Sequence, residues 1–251
     1  MSKIISIHSY RGGTGKSNTT ANLATILALK GLRVGVVDTD IQSPGIHAIF
    51  GLDENEMEHS LNDYLWGLCD ISEAAYDVTD TLDADIPGKI FLIPSSLKAG
   101  EIARVLREGY DVGLLDAGFQ DLILELELDA LLIDTHPGLN EETLLSIAIS
   151  DKVVLILRPD TQDYMGTSVT VEVARKLDVA ELLLAVNKIP DVFPLDEVKQ
   201  QVEETYNCEV AALLPHSDEM MVLGSSDLFV LKFPDNQVSD ALRGLADRLI
   251  A

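Results

Sequence analysis

Cysteine is nearly missing from this chain. Only Cys69 and Cys208 occur in 251 residues, far apart and without a C-x-x-C partner. That argues against a disulfide framework and a paired-thiol metal site, and reads as two reduced thiols in a cytoplasmic protein. Long apolar runs are missing too. No 18 consecutive residues are all apolar, so no membrane-spanning helix is expected. Met1-Ser2-Lys3 runs straight into a strand pattern, and no signal peptide is expected. Basic residues are scarce, 18 Lys and Arg against 42 Asp and Glu, for a net charge of −24. Broad nucleic-acid binding and docking on an anionic membrane both need clustered cations, and none are seen. The pairs Arg104/Arg107 and Arg243/Arg248 sit in helical patterns.

What is present is apolar and periodic. Hydrophobic residues make up 47% of the chain, enough for a substantial core. Strand patterns fall at residues 3–9, 33–38, 89–94, 131–134, 152–157, 181–187 and 208–214. Helical patterns fall at 16–30, 99–108, 111–127, 140–149, 163–176, 195–206 and 237–250. Residues 51–88 are acidic and irregular, with short helices expected near Ser60–Leu68 and Ser72–Tyr76. Strands that alternate with helices predict an α/β fold with a mostly parallel, doubly wound sheet and helices on both faces. No linker, low-complexity tract or short repeat divides residues 1–251, so one domain is expected.

The chemistry starts at Arg11-Gly12-Gly13-Thr14-Gly15-Lys16-Ser17-Asn18. The run follows an apolar strand and opens a helix, the context a phosphate-binding loop requires. Glycines let the backbone curl so that several N–H groups point at phosphate oxygens, and the helix adds its partly positive N-terminus. Lys16 would reach the β- and γ-phosphates, and the Ser17 hydroxyl would ligate Mg²⁺. The common G-x-x-x-x-G-K-[ST] spacing is not met, because Tyr10 stands where its first glycine belongs. Further strands end in chemistry as well. Asp38-Thr39-Asp40 closes one, and ligands gather at such ends in a doubly wound sheet. Leu131-Leu132-Ile133-Asp134 is an apolar row ending in an acid that can hold Mg²⁺ through water. Thr135-His136-Pro137-Gly138 follows it, Val186-Asn187-Lys188 ends a later strand, and Leu213-Leu214-Pro215-His216 ends the next.

The compact loop resembles the deviant phosphate loop of the MinD/ParA family, [KR]-G-G-x-G-K-[ST], and the later motifs follow in that family's order along nearly the whole chain. The resemblance implies an ATPase with ATP and Mg²⁺ as its ligands. It puts the attacking water on Asp40 and the metal's water shell near Asp38, with both of these carboxylates facing the metal and Ser17 and Asp134 holding it. It brings the Gly138 amide to the γ-phosphate, Asn187 and Lys188 to the purine, and the Pro215–His216 backbone onto the base. Arg11 takes the place of the signature lysine that reaches a dimer partner's phosphates, and keeps its charge while adding a planar fork of donors. His136 stands where many relatives carry Ser or Pro. A histidine there can titrate near neutral pH, but the plainer reading is a tolerated replacement beside the metal's outer shell.

Marks of the subfamilies are absent: a basic C-terminal amphipathic helix, cluster-binding cysteine pairs, and basic late helices. The expectation is therefore a weak ATPase that dimerises with ATP and acts on a protein partner, in positioning, partitioning or regulation. Partner contacts are expected in residues 51–88 and 158–170, with Tyr64, Trp66 and Met165 as exposed candidates. The alternatives are a metallochaperone or cofactor-insertion ATPase of the Mrp/CooC type, and a metabolic enzyme with a second substrate beside the γ-phosphate.

Overall fold

The computed structural model describes residues 2–251. Eight strands form one sheet: β1 (Lys3–His8), β2 (Arg33–Asp38), β3 (Tyr76–Asp77), β4 (Lys89–Ile93), β5 (Ala130–Asp134), β6 (Lys152–Leu157), β7 (Glu181–Ile189) and β8 (Glu209–Pro215). Their order is β3-β4-β2-β5-β1-β6-β7-β8. Among the described strands only β3 runs antiparallel, against β4. The helices are α1 (Lys16–Leu29), α2 (Ile46–Ile49), α3 (Leu61–Leu65), α4 (Ala99–Glu108), α5 (Gly113–Glu125), α6 (Glu141–Ile149), α7 (Thr161–Lys176), α8 (Leu195–Tyr206), α9 (Asp218–Leu223), α10 (Phe229–Lys232) and α11 (Gln237–Ile250). Among the described residues no helix is long and apolar enough to cross a membrane.

The strand sequences explain the layering. Strands β5 and β6 are buried at every residue, as a parallel sheet covered on both sides requires. Side chains alternate in direction along a strand. Val154 and Ile156 of β6 accordingly join Ile5, Ile7, Val34 and Val36 in a core under α1 and α11. Val153, Leu155 and Leu157 pack with Val171 of α7 and Val198 of α8 on the opposite face. Ile4, Val37 and Leu131 fill a third cluster with Leu61 of α3 and Leu115, Phe119 and Leu122 of α5. The edge strand β8 alternates buried and less buried residues.

Most expected elements appear, and the differences have local causes. The helix expected from 163 begins at Thr161, because the Asp160 carboxylate caps it by accepting from the Gln162 and Asp163 N–H groups. The helix expected over 111–127 is shortened to Gly113–Glu125. The helix expected near 60–68 stops at Leu65 after a Ser60/Asp63 capping box. The one near 72–76 is a 3₁₀ turn, Ile71–Ala74, followed by the short strand β3, which local patterning did not announce. Helices α2, α9 and α10 were not expected either; each is six residues or shorter, too brief to show a period.

One anchor ties the last helix to the sheet. Lys152 is 3% exposed. Its ammonium donates to the Arg248 carbonyl at 2.8 Å and pairs with Glu181 at 3.2 Å. Arg248 in turn pairs with Glu181 and Glu209.

Gly88 enters β4 where α1 ends, and a Cβ there would collide with the Leu32 and Ala28 carbonyls. Because the obstruction is backbone, Gly88→Ala is expected to cost about 2 kcal/mol. The check is a urea titration: a lower midpoint with an unchanged slope agrees, and an unchanged midpoint refutes the close packing.

Candidate functional site

Three neighbouring strands end together. In the sheet register Asp38 of β2 lies beside Asp134 of β5, and Ile7 of β1 lies on the other side of Asp134. The glycine-rich loop leaves β1 above this edge and turns into α1. Gly13 and Gly15 have φ of 76° and 101° there, a region that L side chains rarely adopt. Gly15 is also the residue that caps α1, and no side chain bonds the helix's free N–H groups. An uncapped helix N-terminus favours an anion. Thr14 is buried in the loop with its hydroxyl unpartnered by the protein. Lys16 is buried below. These features fit a polyphosphate.

The carboxylates divide the work. Asp134 lies near the Ser17 hydroxyl and Lys16, with the Thr20 hydroxyl at 3.4 Å. Burial raises its pKa to about 6 against the pull of Ser17 and Lys16. Asp38 is buried, and burial together with Asp134 pushes its carboxyl well above the usual range. Its two oxygens accept from the Asp40 and Gly45 N–H groups, at 3.0 and 3.3 Å. Asp38 therefore braces the 40–45 loop, and each of its oxygens keeps a further lone pair for the expected water shell of the metal. Asp40 is less buried. It accepts from the Ser43 N–H at 3.1 Å and faces the His136 ring at 3.8 Å. Burial raises its pKa, opposed by His136 and Lys16. Among the described residues no three His, Cys, Asp or Glu side chains are set to hold one ion. The donors present fit Mg²⁺, which takes one or two protein ligands with phosphate oxygens and waters. Ser17 and Asp134 would hold it, and bound there it would offset phosphate charge.

The base end has a cavity of about 280 Å³, lined by Gly15, Asn18, Asn187, Pro215, His216 and Met220 among others. Sequence reasoning brought Asn187 and Lys188 here as purine contacts. In the structure both brace the loop: the Asn187 amide donates to the Thr14 carbonyl at 2.7 Å, and the Lys188 ammonium to the Gly13 carbonyl at 2.8 Å. The Asn187 oxygen accepts from the Lys188 N–H. One amide hydrogen and one oxygen lone pair of Asn187 are thus engaged, and one of each is left for a purine. The Asn18 amide donates to the Ser225 hydroxyl at 2.8 Å, tying α1 to the α9–α10 connection. His216 lies at the rim, 3.3 Å from Asp218.

Two expected phosphate contacts are engaged elsewhere. The Gly138 N–H donates to the Ser9 carbonyl at 3.1 Å. Arg11 is folded onto its own chain, 3.1 Å from Asp163 and 3.4 Å from Asp160 at the start of α7. Arg158 holds the same pair of acids.

Sequence reading missed this acid pair, although Arg158-Pro159-Asp160 closing a strand is the same kind of strand-end signal as Asp38-Thr39-Asp40. It also missed His8. The His8 imidazole is fully buried, and burial, Lys16 and His136 lower its pKa to about 3, so it is neutral. Its Nδ1 meets the Thr135 hydroxyl at 2.7 Å, while Nε2 has no protein partner. Of the surface residues expected for a partner, Met165 is 69% exposed. Tyr64 is half-buried with its hydroxyl on the Leu114 carbonyl, and the half-buried Trp66 ring lies under the Arg104 guanidinium. Those two aromatics pack within the fold.

Comparison with known proteins agrees with this architecture. A family model described as an AAA domain matches residues 2–183, well over half of the chain. An uncharacterized ATP-binding protein of Methanocaldococcus jannaschii is 27% identical over 253 residues, covering 100% of this chain and 88% of the relative. The septum site-determining protein MinD of Bacillus subtilis is 25% identical over 260 residues, covering 100% of this chain and 90% of the relative. Among solved structures, MinD from Pyrococcus horikoshii complexed with Mg-ADP aligns with a TM-score of 0.80 at 22% identity, over 99% of this chain and 96% of that one.

Asp134 makes stability depend on pH in a definite direction. Its carboxyl titrates at about 6 when folded, against 3.8 for a free side chain. A raised carboxyl favours the protonated folded state, so its full contribution is present below pH about 4 and lost as pH rises through about 6. Nucleotide-free Asp134→Asn should therefore melt a few degrees above the parent near pH 7.5, and the gain should shrink near pH 4.5. Thermal scans of both proteins at the two pH values check this. The same difference at both would show that Asp134 is not the strained group.

Proposed function

The chain belongs to the MinD/ParA family of P-loop ATPases, and on that premise we propose that it is an ATP-operated switch which dimerises with nucleotide and acts on a protein partner. The observation that carries the reading is the state of Arg11. The phosphate-binding groups of the loop are open, while the cation expected to serve a second subunit is held by Asp160 and Asp163 of its own chain. ATP adds negative charge that competes with those two acids for the guanidinium. In the dimer Arg11 would leave α7 and meet the partner's phosphates, as an arginine finger does. Lys16 would neutralise phosphate charge, Ser17 and Asp134 would hold Mg²⁺, and Asp40 would orient the attacking water. Hydrolysis would return Arg11 and the Gly138 amide to their resting partners.

Exposed apolar side chains support a partner surface beside this switch. Met165 and Val169 stand one turn apart on α7, next to the Tyr10 ring that lies over Gly166. The metallochaperone alternative draws no support from the thiols. Cys69 packs against the α3–α5 cluster and Cys208 against the α7–α8 cluster. Burial pushes the Cys69 thiol up to about 11, with nearby acids adding to it, and burial raises Cys208 as well. Neither favours the thiolate that binds metal.

Light scattering on a gel-filtration column tests the switch. The mass should double with ATP and not with ADP. Asp40→Ala should hold the ATP dimer, and Arg11→Ala should bind ATP without pairing. Parent turnover should lie well below the roughly 10 s⁻¹ of a median enzyme. A mass that stays constant with every nucleotide sinks the dimer reading.

A further inference from the structure

We propose that His136 is a water-binding residue of ATP hydrolysis: its Nε2 and the Asp40 Oδ1 together accept the two hydrogens of the attacking water. The inference rests on the ATPase reading and deepens it. It replaces the plainer view of His136 as a tolerated substitution.

The ring geometry sets the roles of the two nitrogens. Nδ1 lies 2.6 Å from the Pro137 carbonyl oxygen, which can only accept. Nδ1 therefore carries a hydrogen, and the tautomer so fixed leaves the acceptor lone pair at Nε2. Nε2 lies 3.8 Å from Asp40 Oδ1. That is too long for a direct hydrogen bond, and in that tautomer both atoms are acceptors. What joins two acceptors across such a gap is a donor of two hydrogens, and a water has them. Asp40 Oδ1 is held in place by the Ser43 N–H at 3.1 Å. The His136 backbone carbonyl accepts from the Thr143 hydroxyl at 3.3 Å, at the start of α6. Both sides of the gap are thus fixed by bonds from separate elements. The side chains of His136 and Asp40 are 23% and 15% exposed, so water reaches them without flooding the site.

A water that spends both hydrogens on Asp40 and His136 directs its lone pairs elsewhere, which is the orientation a nucleophile needs. In the step, the water oxygen bonds to the γ-phosphorus. The bond from phosphorus to the β,γ-bridging oxygen breaks, and ADP leaves with that electron pair. One water proton stays on the inorganic phosphate, and the other passes through Asp40 to solvent. His136 takes no net proton; it aligns the nucleophile, in the way a glutamine does in other P-loop enzymes.

The experiment compares parent, His136→Ala, His136→Gln, Asp40→Asn and the His136→Ala/Asp40→Asn double variant by steady-state ATP turnover and by binding of a non-hydrolysable ATP analogue. His136→Ala should lower kcat on the order of 100-fold. Its affinity for the analogue and its melting temperature should stay near the parent's. His136→Gln, which restores an acceptor at similar reach, should recover most of the loss. The double variant should be no slower than Asp40→Asn, because both side chains serve one water. Parent-like turnover in His136→Ala beside an inactive Asp40→Asn overturns the proposal and leaves the ATPase reading intact. So does a His136→Ala protein that loses analogue binding along with turnover, or a His136→Gln protein no faster than His136→Ala. A parent that binds no analogue and hydrolyses no ATP removes the ATPase reading, and the proposal with it.

Discussion

Buried negative charge is the constraint around which this site is arranged. Asp38 and Asp134 lie side by side in the sheet register with Asp40 close by, and burial raises the pKa of all three. Carboxylates in a low dielectric need cations or donors. Lys16 is the buried cation among them. The Asp40 and Gly45 N–H groups serve Asp38, and the Thr20 and Ser17 hydroxyls serve Asp134. His8 is kept neutral by the same burial and by Lys16. A divalent cation beside Asp134 would complete the neutralisation, while a polyphosphate would take up the open α1 terminus and the free Thr14 hydroxyl. Metal and phosphate complement each other here, since either alone adds charge that the other offsets.

The loop is also tied to α7, and that tie sets its mechanical coupling. The Tyr10 ring lies so close over Gly166 that a Cβ at Gly166 would run into it. One residue later Arg11 meets Asp160 and Asp163. Two adjacent residues of the phosphate loop thus rest on the first turns of one helix. The Ser9 carbonyl, just before them, holds the Gly138 N–H. Movement of the loop is therefore communicated both to α7 and to the segment after β5. That segment carries His136, whose ring faces the loop after β2 through Asp40.

Much of this was legible in the residues. Seven of the eight strands announced themselves as apolar rows, and β2, β5 and β7 carry an acid or an amide at their C-terminal ends. The phosphate loop, Asp134 and the 38–40 pair were legible because strand ends collect on one edge of a doubly wound sheet. What could not be read was direction. Nothing local to Asp38 says that its oxygens turn to the Asp40 and Gly45 amides, or that Asn187 points at the Thr14 carbonyl 173 residues away. Strand β3 is two residues long and exists only because β4 offers a free edge. Arg11 was expected to reach outward, and its resting partners lie 149 and 152 residues further along the chain.

The energetics of Arg11 show why such a resting contact is compatible with switching. Its side chain is 37% exposed, while Asp163 is 2% exposed and is held independently by Arg158. A half-exposed ion pair is worth about 1 kcal/mol or less. Releasing Arg11 leaves Asp163 still paired with the Arg158 guanidinium and hydrogen-bonded to its backbone N–H, so no buried charge is stranded. That matters more than the strength of the pair, since an orphaned buried carboxylate would cost several kcal/mol. The acid at the start of α7 therefore carries two cations of different kinds. Arg158 stays, and Arg11 can leave at small cost. On the reading proposed above, a contact of that size would hold Arg11 only until a stronger anion was presented to it.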